Sequence, residues 1–378
     1  MPNLLSTESL SQVLSLQDLT DPSHGRHAMQ SLVNDIHRGL ADKWQCKRLI
    51  VRTSPVVPLQ NNYDRLGYPT DGAARDSRYT RYITDQLILR TQTSSAIPDL
   101  LDGLSVDPPS DLLLILPGLV YRRDSIDRLH CAEPHQLDLW RIVDKDHRNG
   151  YRGKDMTSCD LEQMATIVMQ MALPETKWRL IDSPHPYTEQ GVQIDALWHD
   201  RWIEVGECGI AARAILDQAN LRHHSGLAMG LGLDRLLMVR KDIADIRLLR
   251  SKDARVSSQM TDLKAYLPVS KMPAILRDLS LCVSESMSDE LLGDSVREQV
   301  PDAVVCIESM IVKSETSYTA LPDSARKRMG MMPGQKNILL QLVIRRMDRS
   351  LTDEEANKVR NEVYKALHRG KCQELAGN

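Results

Sequence analysis

Two short stretches bring arginines into apolar surroundings. In "GLAMGLGLDRLLM", residues 226–238, Gly230 and Gly232 precede Arg235; in "VYRRD", residues 120–124, Arg122 follows a long apolar run and Asp124 closes the motif. Glycines let a flat ligand lie against backbone, and a guanidinium holds phosphate oxygens in a two-pronged fork. Two such arginines facing one cleft can clamp a triphosphate, while Mg²⁺ held by acidic residues neutralises the remaining charge. A Rossmann dinucleotide loop is a poor fit, because it needs a third glycine where Arg235 stands. The pairs His130/His135 and His223/His224 lack the partner spacing of a zinc site.

The elements that must carry these residues follow from periodicity. Met29, Leu32, Val33, Ile36 and Leu40 recur at helical spacing and predict a helix over 21–42. "SDLLLILPGLVYRRD", residues 110–124, is an apolar run breaking into charge, as a buried strand that leads into a site would be. "LEQMATIVMQM" predicts a second helix. "VQIDALWHDRWIEVGECG" alternates around His-Asp-Arg and predicts an antiparallel hairpin, and "GLAMGLGLDRLLMVR" a strand entering a helix. Prolines near 262–273 mark a boundary. Beyond it, strand, helix, strand, strand and helix follow in the order of a ferredoxin-like α+β fold, with Thr352 and Glu355 spaced as a capping box for the last helix.

At 378 residues the chain is long enough for two domains. A net charge of -3 gives no overall basic character, so nucleic-acid contact must rest on local patches. No apolar run reaches the ~20 residues of a spanning helix. The N-terminal stretch has no Lys or Arg before Arg26, which argues against signal and transit peptides and for a cytoplasmic protein. Seven scattered cysteines without a Cys-x-x-Cys read as reduced thiols. Phenylalanine is absent altogether, although a chain of this length ordinarily holds on the order of a dozen.

The segments "NNYDRL", "LRTQTSSAIPDLL", "GLVYRRDSIDRLHCAEPHQLD", "HPYTEQGVQID", "RWIEVGECG" and "GLAMGLGLDRLLMVRKDIADIRLL" resemble, in order and spacing, the catalytic domain of the phenylalanyl-tRNA synthetase family. The tail from "PVSKMPAILRDLSL" to "RRMDRSLTDEEANKV" resembles that family's ferredoxin-fold anticodon-binding domain. The resemblance implies an α+β chain in two parts: a class II synthetase antiparallel sheet flanked by helices over 1–262, and an anticodon-binding domain over 263–378. It further implies ATP and Mg²⁺ as cofactors, an amino acid and tRNA as partners, no membrane, and a monomer or homodimer.

Residue by residue, it implies that Arg122 contacts the α-phosphate of ATP and Arg235 the γ-phosphate. Asp124, Glu204, Gly230 and Gly232 would complete the nucleotide site, with Glu204 also facing the metal. Gln92, Ser94, Gln136 and Asp138 would grip the amino acid's charged groups. His185, Tyr187 and Ala228 would line its ring. Lys271, Arg277, Arg345 and Arg346, together with the run Arg326, Lys327 and Arg328 and with Lys336, would meet tRNA phosphates, and Tyr266 and Tyr318 are the candidate base platforms.

Departures from the family pattern cluster at the pocket. "TQTS" has Gln92 for His; "PHQLD" has Pro134 for Phe and Asp138 for Glu; "HPYT" has His185 and Tyr187 for two Phe; "GECG" introduces Glu207. A buried His or phenol without a partner costs about 1–3 kcal/mol. Either the substrate supplies that partner, as a hydroxylated or amino-substituted ring would, or the side chains turn to neighbours. Three readings follow: a phenylalanine ligase free of its own substrate residue, and so translatable when charged tRNA runs out; a ligase for a phenylalanine analogue; and a non-catalytic relative that binds tRNA or amino acid.

Overall fold

The structure, a computed structural model, describes residues 4–77, 79–123, 125–147, 154–269, 273–346 and 349–372. Contacts divide the chain into two units. The first comprises residues 1–122, 133–244 and 258–266; the second takes 123–132, 245–257 and 267–378.

In the first unit the helix predicted over 21–42 forms over Ala28–Trp44 (α1). It starts later because Pro22–His24 makes a separate turn, Gly25 adopts φ 104°, and the His27 ring caps the helix by accepting from the Met29 amide at 3.2 Å. Its stripe of Met29, Leu32, Val33, Ile36 and Leu40 is buried, as spacing requires. The strands of its large sheet are β1 (Lys47–Ile50), β2 (Asp111–Leu119), β3 (His135–Asp144), β4 (Trp178–Asp182), β5 (Thr188–Trp198), β6 (Arg201–Ala211) and β7 (His224–Gly232). Helix α2 (Ser158–Ala172) packs against α1, and α3 (Leu233–Lys241) follows β7 directly.

These strands form one sheet in the order β1-β2-β3-β7-β6-β5-β4, parallel only at β1–β2. The β5–β6 hairpin turns through His199 and Asp200, both in the left-handed region at φ 45° and 61°, which matches the right-handed twist of the flanking strands. Strands with period-2 alternation have two different faces. One presents Leu112, Leu114, Leu116, Trp140, Ile142 and Ala228 to a cluster completed by Leu66, Ile97, Leu101 and Tyr187. That face carries the site.

The second unit holds β8 (Ile275–Ser284), α4 (Asp289–Gln299), β9 (Ile307–Ser317), β10 (Gln335–Ile344) and α5 (Asp353–Leu367), with antiparallel strand order β8-β10-β9. Ile338, Leu340, Leu342 and Ile344 alternate inward along β10 and meet Leu292 and Val296 of α4 and Val363 and Leu367 of α5. Thr352 and Glu355 form the expected capping box. Segment 123–132 contributes Ile126 to this core, and the Arg123 guanidinium forms a buried ion pair with Asp294 on α4. Among the described residues no helix is long and apolar enough to cross a membrane.

Candidate functional site

Register places the polar residues of the site on one face. Along β3, Gln136, Asp138 and Trp140 face the same way; on β7 their partners are Gly232, Gly230 and Ala228; on β6, Glu207 pairs Gly230 and Gly209 pairs Ala228. Gly230, Ala228 and Gly209 therefore floor a trough with Asp138 and Trp140 on one side and Glu207 on the other. A Cβ at Gly230 would lie 3.0 Å from both Asp138 Oδ1 and Gln136 Nε2, so a side chain there would press both groups back.

Asp138 is 1% exposed. The Thr93 and Ser94 hydroxyls donate to its Oδ2 at 2.6 and 2.8 Å, while Oδ1 is buried with no partner among the described residues. Burial, with the Glu207 charge adding to it against these two hydrogen bonds, leaves its carboxyl pushed up to about 6. Gln136 accepts from the Thr93 amide at 3.3 Å. Gln92 is locked, donating to the Asn62 carbonyl at 2.9 Å and accepting from the Tyr68 phenol at 3.0 Å.

The polar replacements at the ring wall find their partners in one another. The Tyr187 hydroxyl donates to Glu207 Oε1 at 2.7 Å, and His185 Nε2 lies 2.5 Å from Glu207 Oε2. Burial alone would raise the Glu207 carboxyl, but His185, the Tyr187 phenol and the Arg122 charge together hold it below the usual range. Burial and the neighbouring Glu207 charge raise the Tyr187 phenol well above its ordinary value. Of the two alternatives posed by the sequence, the side chains have turned to a neighbour. The same rule holds elsewhere in this phenylalanine-free core: the hydroxyls of Tyr63 and Tyr82 each donate to a backbone carbonyl, of Ala74 and Arg75.

The phosphate-binding candidates lie at the edge of this face. Arg122 is exposed and its Nε donates to the Thr91 carbonyl at 2.9 Å. Arg235, in the first turn of α3, donates to the Glu204 carbonyl at 3.2 Å. Neither meets a carboxylate among the described residues, and the Glu204 side chain is exposed. Behind them, buried Asp234 accepts from the His135 backbone amide and faces His135 Nδ1 at 3.1 Å, while His135 Nε2 accepts from the Leu19 amide at 3.0 Å. That places His135 in the framework. Among the described residues no group of three or more His, Cys, Asp or Glu is arranged to hold a metal. Asp124 and Lys271 lie outside the described residues.

In the second unit, Arg277 pairs with Asp353 at 2.6 Å and donates to Asn357 at 2.8 Å, and Arg345 pairs with Glu308 at 2.6 Å. Arg346 lines a cavity of about 490 Å³ beside Cys306, Arg349 and Lys358. Tyr266 belongs to the first unit and is buried, and in the second Arg326 lies over the Tyr318 ring at 4.8 Å. Sequence reasoning passed over Thr93 and Trp140. The second was within reach, since alternation along β3 from Gln136 and Asp138 leads to it.

The profile of the tRNA synthetases class II core domain (F) matches residues 16–260. The chloroplastic/mitochondrial phenylalanine–tRNA ligase of Arabidopsis thaliana is 32% identical over 326 residues, covering 83% of this chain and 71% of that protein. The probable mitochondrial phenylalanine–tRNA ligase of Drosophila melanogaster is 28% identical over 363 residues, covering 83% and 76%. The phenylalanine–tRNA ligase alpha subunit of Prochlorococcus marinus (strain NATL2A) is 30% identical over 271 residues, covering 68% and 74%. Among solved structures, a pyrrolysyl tRNA synthetase of Desulfitobacterium hafniense aligns with TM-score 0.44 and 16% identity over 64% of this chain and 77% of that one.

Proposed function

Because the chain belongs to the class II tRNA synthetases, and within them to the phenylalanine–tRNA ligases of the single-chain organellar type, we propose that it activates phenylalanine with ATP in the β3–β7–β6 trough and transfers it to tRNA. The amino acid's carboxylate attacks the α-phosphorus of ATP, pyrophosphate leaves, and a terminal ribose hydroxyl of tRNA then attacks the acyl carbon and releases AMP. Such chemistry runs on positioning and charge stabilisation and needs no side-chain nucleophile.

In this reading Asp138 Oδ1, buried and without a protein partner, takes the substrate ammonium, with Ser94 and Thr93 orienting its carboxylate and Gln136 beside it. Arg122 and Arg235, each held through one N–H by a backbone oxygen, turn their remaining N–H groups to the α- and γ-phosphates. Gly230 and Gly232 let the nucleotide approach the backbone. Glu204, exposed, fits one Mg²⁺ shared with the phosphates, because such an ion takes one or two protein carboxylates and fills the rest with water and phosphate oxygens. Bound there, the ion would neutralise phosphate charge.

The unpartnered Asp138 oxygen beside Gly230 carries the proposal. It also favours an α-amino acid over tRNA binding alone, since a buried carboxylate oxygen that no donor meets is costly and a small ammonium fits that position. We propose that the second unit meets tRNA through its exposed cations, including Lys327 and Arg328, and that the protein works in a reducing, cytoplasmic setting, in keeping with seven cysteines none of which forms a disulfide. Amino-acid-dependent ATP–pyrophosphate exchange tests the first step and charging of a phenylalanine tRNA transcript the second. Exchange with phenylalanine is expected; no exchange with any aromatic amino acid would overturn the reading.

A further inference from the structure

We propose that Trp140 is the length stop of the amino-acid trough, restricting the accepted side chain to a single six-membered ring without a bulky para substituent. The inference rests on the proposed activation of phenylalanine and deepens it. Trp140 is 0% exposed, two residues beyond Asp138 on β3 and therefore on the same face, ~7 Å further along the strand. Arg235 lies beyond the opposite end of β7, after Gly232, so the order along the trough is phosphate end, ammonium grip, Trp140. A substrate anchored by its nitrogen at Asp138, with its carboxylate toward the arginines, extends its side chain toward Ala228 and the indole.

What it meets there is closed. The Trp140 and Tyr187 rings lie 6.0 Å apart at 27°, a directly stacked pair with no room for a third ring between them. Tyr187 cannot swing aside freely, because its hydroxyl is bound to Glu207, which His185 holds from the other side. The floor is no deeper at this point: a Cβ at Gly209, partner of Ala228, would lie 2.5 Å from Thr188 Cβ. The indole Nε1 is buried without a hydrogen-bond partner among the described residues, so packing positions Trp140. A ring of phenylalanine size ends against this pair. Any larger para group must displace it.

Pyrophosphate exchange with phenylalanine and with 4-bromophenylalanine, on the wild-type chain and on Trp140→Leu and Trp140→Ala, tests this. The wild type should prefer phenylalanine by about 10- to 200-fold in kcat/KM, the range one misfitting group commands in an apolar pocket. The variants should narrow that preference at least tenfold while still activating phenylalanine. Wild-type activation of both substrates alike, or an unchanged ratio in a variant that still uses phenylalanine, overturns the inference and leaves the proposed function standing. Failure of the wild type on phenylalanine sinks the proposed function instead. If truncation unfolds the chain, competition on the wild type decides: 4-bromophenylalanine should inhibit phenylalanine exchange at least tenfold more weakly than 4-fluorophenylalanine, and equal inhibition overturns the stop.

Discussion

Two arginines at the candidate site of the first unit behave differently from those that hold the second together, although the first unit also has carboxylate-paired arginines such as Arg65, Arg141 and Arg179. Among the described residues, Arg122 and Arg235 of the first are tied to the protein through backbone carbonyls, each by one N–H. In the second, Arg277, Arg345 and Arg349 close on Asp353, Glu308 and Glu355, and Arg123 is buried against Asp294. A carboxylate partner spends a guanidinium on the fold, whereas a carbonyl orients it and leaves its charge unneutralised. The neighbours Arg122 and Arg123 show both outcomes in consecutive residues. Exposure separates the proposed phosphate contacts from a framework arginine such as Arg90, which is buried and held by the Leu119 and Thr53 carbonyls, and mutations should separate the two kinds by what they damage.

The sharpest break is expected at Arg235→Ala. Exchange activity should fall by about 10³-fold, the upper range for one preorganised donor, while the thermal midpoint hardly moves; surviving activity would return Arg235 to the structural kind. Arg123→Ala should do the reverse. It removes the buried Arg123 partner of Asp294, so unfolding by denaturant should show a loss of up to about 3–5 kcal/mol. Asp138→Asn should raise the KM for phenylalanine about tenfold to a hundredfold with less effect on kcat. In the wild type the sign follows from the raised carboxyl. As pH falls through about 6 Asp138 takes up a proton and releases its hold on the ammonium, so kcat/KM should decline on the acid side and level off above. That limb should vanish in Asp138→Asn. The smallest effect belongs to Arg277→Ala, whose pair with exposed Asp353 is worth at most about 1 kcal/mol. A tenfold rise in KM for tRNA without a larger stability change would show that this cation, though paired, also serves RNA.

The parts governed by local pattern were legible in the sequence. The apolar run of β2, the alternating β5–β6 hairpin, the strand-to-helix passage at Gly232 and the Thr352/Glu355 cap each follow from residues close in sequence, whose spacing alone decides the outcome. Periodicity predicts a start at residue 21, whereas α1 begins at Ala28, because its start is set by turn chemistry at Gly25 and a histidine cap outside the usual capping residues. The site was half legible. Arg122, Arg235 and Asp138 stand out by type, but nothing local says that Glu207 lies between Tyr187 and His185, which depends on the register of β5 against β6. Nor does sequence reveal that segment 123–132 leaves the unit of its flanking residues, since Ile126 looks like any other apolar residue until its partners are known.

The stacked Trp140–Tyr187 pair has an experimental consequence. Aromatic rings shift the magnetic resonance of nuclei held near their faces, and this chain contributes no phenylalanine signal of its own. Ring-labelled phenylalanine added to the protein would be the sole source of phenylalanine resonances in the sample. Its displacement on binding would report where the substrate sits relative to the indole, without any label on the protein.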